Sequence, residues 1–442
     1  MGMMNKIGFV SLGCSKNLVD TENMIGIMTR EGYLVVSDPG EADIIVVNTC
    51  GFIDSAKEEA INTILEMAEY KQDKCKMLVC AGCLAQRYSE DIKRDLPEVD
   101  VILGTGSYKD IAVAVKEAME KGKSEFLDDI NFEIGEEERV RTTPPHMAYI
   151  KIAEGCDNFC TYCAIPSIRG RYRSRKMESI ITEAEKMADE GVREIILVAQ
   201  DTTRYGVDMY SEKKLPELIR KLCAIEKIKW VRVHYCYPEE IDDELIDVFK
   251  TEEKLVKYLD IPVQHGCDSV LKRMGRKTTR AQILDRVNKL RENVPGITLR
   301  TSIIAGFPGE TEEEFESLLD FVKEAKFDRM GVFAYSKEEG TPAARLPGQI
   351  DDNVKEERRD RVMELAREIS NEHNESMLGK IVEVVVEGFE DNLYFGRSGG
   401  ESVDVDPKIY FGSLDELNEG DFIKVKIVNF DEYDLYGEQV EI

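Results

Sequence analysis

The 442-residue chain lacks any run approaching the ~18 uninterrupted apolar residues that a membrane-spanning helix needs. Met1 to Gly13 leads straight into the strand-like IGFVSL rather than a secretory leader, so a cytoplasmic protein with no membrane partner is expected. Basic residues are in short supply: 59 Lys and Arg stand against 87 Asp and Glu, a formal charge of −28. Nucleic-acid binders normally present a basic face that displaces counterions, so this balance disfavours a nucleic-acid substrate. Histidine is scarce at four residues, and His146, His234 and His373 stand in no ligand pattern and receive no role. There is no internal repeat and no low-complexity tract.

What is present is ordinary globular material, 42% hydrophobic and 33% charged, enough chain for roughly three domains. From Lys6 to about Met119, short β-branched runs (Ile7 to Leu12, Asp43 to Asn48, Lys76 to Ala81, Val99 to Leu103) alternate with amphipathic helices. Ala60, Ile61, Ile64, Leu65 and Ala68 mark one helical core face. Such a βαβ succession predicts a doubly wound parallel α/β domain over residues 1–130. The charged, proline-ended stretch Glu133 to Pro145 reads as a linker, taken as 131–145. Six further strands (Ala148 to Ala153, Arg193 to Ala199, Trp230 to Tyr235, Tyr258 to Val263, Thr298 to Ile304, Met330 to Tyr335) predict a partial (β/α)6 barrel over 146–375. A polar helix from about Asn353 to Ser376, with Val362, Leu365, Ala366 and Ile369 buried, closes that domain. After Gly379 the hydrophobic period becomes two, and five short strands predict a small antiparallel β-barrel of the oligonucleotide-binding type over 376–442.

The eleven cysteines are odd in number and placed in a reducing compartment, so they form no disulfide framework. Cys156, Cys160 and Cys163, in GCDNFCTYC, follow the first barrel strand and form a candidate metal site. A structural zinc would want a fourth ligand nearby, and no Cys or His follows Cys163 before Cys223. Three thiolates instead suit a four-iron cube with one iron open. Cys14, Cys50 and Cys83 each follow a predicted strand of the first domain, where parallel sheets gather ligands, and form a second candidate triad. Cys75, Cys80, Cys223, Cys236 and Cys267 read as core cysteines.

The CxxxCxxC spacing with Tyr162 resembles the radical S-adenosylmethionine superfamily, and the whole chain resembles its methylthiotransferases, through SLGCSKNLVDTENM, NTCGFIDSAKEEA, DIPVQHG and GCDNFCTYCAIPSIRGRYRSR. The resemblance implies two [4Fe-4S] clusters and an N-terminal domain that holds or delivers the inserted sulfur. It implies S-adenosylmethionine as both radical source and methyl donor, an electron donor, and a C-terminal TRAM-type domain. It also implies a cofactor shell at the other strand ends: Gln200 and Asp201 near the methionyl amine, Gln264 and His265 near the ribose, Gly306 near the adenine. No protein nucleophile or acid–base catalyst is expected beyond the clusters, and the sulfur donor, sulfide or polysulfide, stays open.

Two substrates compete within that family: an adenosine derivative in tRNA, and the β-carbon of an aspartate in small-subunit ribosomal protein S-twelve. GCSKNLVD and NTCGFI resemble the ribosomal-protein branch; the tRNA branch more often reads GCQMN. Charge agrees. Residues 376–442 hold 5 basic and 16 acidic residues, a net of −11, against −17 over the other 375. Such a domain repels phosphate and attracts a basic ribosomal protein, and Tyr394, Phe395, Tyr410, Phe411 and Phe422 read as core rather than as base-stacking aromatics. Arg169, Arg171, Arg173 and Arg175 are candidates for pairing carboxylates, or for an ion-paired strand. A zinc-stabilised interaction module is the non-enzymatic alternative.

Overall fold

The computed structural model describes residues 5–132, 134, 135, 138–403 and 405–441. In the first domain the parallel strands β1 (Lys6–Ser11), β2 (Leu34–Val36), β3 (Ile44–Thr49), β4 (Met77–Gly82), β5 (Val101–Leu103) and β6 (Ser124–Phe126) lie in the order β2-β1-β3-β4-β5-β6. β3 and β4 are buried throughout, as continuous apolar runs require when both sheet faces are covered. Ile44 and Val46 point towards α1 (Ser15–Arg30), while Ile45 and Val47 point towards α2 (Asp54–Glu69) and α3 (Cys83–Asp95). Strand order reverses between β1 and β3, the place where open α/β sheets bind ligands. The edge strands β2 and β6 escape the sequence pattern because each is three residues long and carries no buried run.

The central domain begins with β7 (Met147–Lys151) and the short pair β8 (Ala153–Glu154) and β9 (Arg173–Ser174). It continues through β10 (Glu194–Val198), β11 (Trp230–Val233), β12 (Leu255–Asp260), β13 (Thr298–Ala305) and β14 (Arg329–Ala334). The order β14-β13-β12-β11-β10-β7 is parallel throughout and open at its ends. β12 starts three residues ahead of the expected Tyr258. The chain leaves the ladder after Asp260, ahead of Pro262, which has no N–H to donate. The polar helix spans Asp352–Ser376; Val362, Ala366 and Ile369 are buried in it and Leu365 is half-buried.

β15 (Ile381–Glu390), β16 (Leu393–Ser398), β17 (Ile409–Gly412), β18 (Phe422–Phe430) and β19 (Leu435–Gln439) close a barrel in the order β15-β16-β17-β19-β18. Its pairings are antiparallel except β17 with β19. That pair is parallel because β18 returns to β15 and leaves β19 to complete the ring beside β17. Of the five barrel aromatics, Phe411 is fully buried, Phe422 packs edge-on against Trp230, and Tyr394, Phe395 and Tyr410 are half-buried.

Both outer domains reach into the open barrel. Leu18 and Val19 of α1 pack on Met147, Tyr149, Ile196 and Val198. The β16–β17 connection supplies acceptors to strand arginines: Arg232 donates to Ser398 O (3.3 Å) and Gly399 O (3.1 Å), Arg329 pairs with Glu401 (3.4 Å), and Arg300 pairs with Asp406 (3.5 Å). Glu194, with no solvent exposure, takes Arg232 at 2.9 Å and also binds Arg397 of β16. Part of the C-terminal acidity is therefore spent inside the molecule. Of the expected linker, residues 133, 136 and 137 lie outside the described residues, and Arg139 is clamped between Glu22 (2.6 Å) and Glu183 (2.8 Å).

Candidate active site at facing strand ends

Cys156, Cys160 and Cys163 occupy the loop between β8 and α5 (Ile165–Arg169). The loop is tied down by Cys156 N to Gly170 O (3.1 Å), Thr161 N to Met274 O (2.8 Å) and Thr161 Oγ1 to Arg273 O (2.8 Å). Cys156 and Cys160 are buried and Cys163 is half-buried. Burial pushes the Cys156 thiol up to about 11; burial, then the neighbouring Cys160 and Cys156, push Cys163 well up. The Cys156 and Cys163 thiols are thus protonated in the metal-free fold, and loading a metal expels those protons.

Cys14 caps α1 after β1, Cys50 follows β3, and Cys83 opens α3 directly after β4. They meet at the sheet's switch point because two glycines allow it. A Cβ on Gly13 would stand 2.7 Å from Cys50 Cβ, and one on Gly51 would stand 2.8 Å from the backbone of Leu84. Each cysteine of this triad carries a glycine beside it in sequence, at Gly13-Cys14, Cys50-Gly51 and Gly82-Cys83, a signal that spacing alone overlooks. Burial opposes ionisation of Cys14, but Lys16, Arg169 and the N–H groups of Asn17 and Lys16 outweigh it and hold the thiol below its ordinary value. Burial raises Cys50, and raises Cys83 to about 12.

The two triads are neighbours. Cys83 packs on Ala164 and Ile168, which follow Cys163 through α5. At the end of α5, Arg169 donates to Asn17 Oδ1, to Asp20 (3.0 Å) and to Glu154 (2.9 Å). Lys151 binds the same Asp20 and lies 2.7 Å from Glu154. Two cations and two carboxylates, all buried, thereby lock α1 to the barrel; the pattern of apolar residues could not reveal them. Of the other arginines, Arg171 pairs with Asp157 (2.6 Å), Arg175 with Glu183 (2.7 Å), and Arg173 donates to Phe132 O (3.0 Å).

The residues assigned to the cofactor shell divide by what they have left to offer. Gln200 donates to Glu154 Oε1 (2.9 Å) while its own Oε1 is buried with no partner among the described residues, an acceptor fitted to an ammonium. Asp201 is fully buried, accepts from Asn158 (2.8 Å) and Thr203, and is raised by burial to about 6. Gln264, at φ 71°, lines a cavity of about 640 Å³ with Tyr162, Ile304, Tyr335, Lys355 and, from the first domain, Phe52. His265 is turned inward: Cys267 N–H donates to Nδ1 (3.0 Å), which leaves the proton on Nε2 facing Glu310 at 3.2 Å. Gly306 N–H donates to Glu310 (3.1 Å), and Gly306 lies against the side chain of Lys355. Four of the five remaining cysteines are buried; Cys267 is half-buried.

Among the described residues, no three or more His, Cys, Asp or Glu side chains are grouped as a single ion requires. In an iron–sulfur cube each thiolate binds a different iron, so the thiols need not converge on one point, and the donor chemistry of both triads fits that group.

The chain is 52% identical to the ribosomal protein uS12 methylthiotransferase RimO of Acetivibrio thermocellus, covering 99% of each chain. It is 51% identical to the protein of that name from Clostridioides difficile strain 630, covering 98% of this chain and 99% of the relative. The chain belongs to the ribosomal protein uS12 methylthiotransferase family. Residues 150–322 match the Radical SAM superfamily, 378–440 the TRAM domain, and 6–104 the Uncharacterized protein family UPF0004. The superfamily brings a [4Fe-4S] cluster and S-adenosylmethionine with it. The fold resembles the radical S-adenosylmethionine methyltransferase TsrM of Kitasatospora setae (TM-score 0.55, 14% identity, 77% of each chain). It also resembles the cobalamin-dependent S-adenosylmethionine radical enzyme OxsB (TM-score 0.50, 14% identity, 83% of this chain and 56% of that one). Among the described residues, no helix is long and apolar enough to cross a membrane.

Proposed function

We propose that this family member is a radical S-adenosylmethionine methylthiotransferase that adds a methylthio group to the β-carbon of an aspartate in ribosomal protein uS12. The observation that carries the reading is the apposition of two cysteine triads across one domain interface, through Cys83 against Ala164 and Ile168. Cys156, Cys160 and Cys163 would hold one [4Fe-4S] cluster and Cys14, Cys50 and Cys83 a second. Loaded with these and with S-adenosylmethionine, the site would have the one-electron chemistry to break an unactivated C–H bond and the sulfur to replace the hydrogen.

The chain's own residues do the rest. Arg169 and Lys151 fix the distance between the triads through Asp20 and Glu154. Gln200 Oε1 offers an acceptor to the methionyl amine, and Gln264 and Gly306 lie at the barrel mouth for ribose and adenine. Asp201 acts on the first triad by holding Asn158 in its loop. Phe52, Phe333 and Tyr335 give the cavity an apolar wall, on which a radical meets fewer groups that could quench it. Exposed acids on the C-terminal barrel, among them Asp415, Glu416, Glu419, Asp431 and Glu432, give a basic ribosomal protein its landing face. An external electron donor and a sulfide or polysulfide supply what the chain does not carry.

Anaerobically reconstituted enzyme, given S-adenosylmethionine, a reductant and sulfide, should raise the mass of a peptide spanning the target aspartate by one methylthio group. An unchanged peptide with modified tRNA would overturn the substrate assignment. About eight irons per chain are expected from two cubes; zinc without acid-labile sulfide would overturn the cluster assignment.

A further inference from the structure

Lys16 is a buried cation that the fold leaves without a carboxylate. It is 7% exposed, in the first turn of α1, two residues beyond Cys14. Its ammonium lies 3.4 Å over the ring of Tyr235, and no carboxylate of the described residues is within ion-pair reach. The first turn of α1 holds no acidic residue, so helix dipole and ammonium point the same positive charge at one place. Tyr235, just beyond β11, sits at φ 61°, a left-handed conformation that a non-glycine residue keeps only under constraint. Other buried cations make the contrast: Lys151, Arg169, Arg232 and Arg397 all have carboxylates. Its partners are the Tyr235 side chain and the Cys14 thiol, and neither is a carboxylate; a buried ammonium so placed gains when a carboxylate arrives.

We propose that Lys16 binds the side-chain carboxylate of the substrate aspartate and so selects an acidic target residue. The inference rests on the functional reading above. The reacting carbon must lie between the two triads, and an aspartyl β-carbon is bonded directly to its carboxylate carbon. Lys16 enters from the second triad's side, whereas Gln200, Gln264 and Gly306 lie on the barrel strands. The carboxylate it meets is therefore the substrate's rather than the cofactor's.

The test uses reconstituted holoenzyme with S-adenosylmethionine and two fluorescent peptides, one carrying the target Asp and one carrying Asn there. Binding is read by anisotropy for wild type, Lys16→Met and Lys16→Arg. Wild type should bind the Asp peptide on the order of 10- to 100-fold more tightly than the Asn peptide, the range of a charge-assisted hydrogen bond. Lys16→Met should bind both alike with iron content unchanged, and Lys16→Arg should restore part of the preference. Three results would overturn the proposal: an Asp preference that survives in Lys16→Met, a raised KM for S-adenosylmethionine with peptide preference intact, or loss of iron in Lys16→Met that Lys16→Arg does not repair. Wild type that binds neither peptide would instead sink the functional reading itself, and Lys16's role with it.

Discussion

Replacing Arg169 by Gln tests the interface that holds the triads together. Asp20 and Glu154 would be left with Lys151 as their one cation, and Asn17 Oδ1 would lose its charged donor. Removing one partner from a buried ion-paired cluster costs about 3–5 kcal/mol, because a carboxylate is stranded away from water. Urea unfolding is readable through Trp230, the chain's one tryptophan, which packs between the barrel and the C-terminal domain. The sign with pH is also fixed. Burial opposes ionisation of Glu154, but Arg169 and then Lys151 hold its carboxyl far below the usual range. That stabilisation is present above the unfolded carboxylate range and is lost as pH falls through the folded value. In Arg169→Gln the loss should begin at higher pH. The same substitution removes one of the charges that draw the Cys14 thiol down, so alkylation of Cys14 in metal-free protein should slow at neutral pH. An unfolding free energy within about 1 kcal/mol of wild type, with Cys14 alkylated as fast as before, would refute the reasoning.

Gly51→Ala drives a methyl into the backbone at Leu84, 2.8 Å away, so Cys50 can no longer approach Cys83; the iron count should fall from about eight to about four per chain. Arg397→Leu strips the buried Glu194 of one of its two cations; the variant should lose about 3 kcal/mol, with Trp230 emission shifting red as the Phe422 contact opens. His146, buried beside Arg397, is pushed down to about 4 by burial and by that guanidinium. Because its folded value lies below the unfolded one, stability should be complete above about 6.5 and decline as pH falls towards 4, a dependence that His146→Asn should flatten in urea titrations at stepped pH.

Cys156, Cys160 and Cys163 stand out by their spacing within one loop, and Cys14, Cys50 and Cys83 because each follows a strand and parallel strands bring their carboxyl ends to one edge. β3 and β4 are equally plain, as unbroken apolar runs. The lock between the domains is not. Asp20 belongs to the N-terminal half of a helix whose buried residues there are largely polar, with Asn17, Thr21, Glu22 and Asn23 beside it. Hydrophobic periodicity marks such a face as solvated, and what buries it is charge arriving from Lys151, Glu154 and Arg169, more than a hundred residues along the chain. The C-terminal charge was likewise visible as a number, but its division between Arg300, Arg329 and open solvent depends on the loop between β16 and β17, which composition cannot trace. His265 looks like a cofactor ligand in DIPVQHG until Cys267 N–H and Glu310 are seen to take both ring nitrogens.

That loop bears on how the protein is made. Arg232, Arg300 and Arg329 lie on strands that leave the ribosome long before Glu401 and Asp406 do. Until the final segment has been synthesised, Arg232 and Arg300 have only Glu194 and Asp260 of the barrel itself, and Arg329 lacks Glu401. Translation of the last seventy or so residues is therefore the step that completes the catalytic domain. A chain stopped at Ser376 would lack part of its barrel's interior as well as its acidic face, and its inactivity would say nothing about where the ribosomal protein lands.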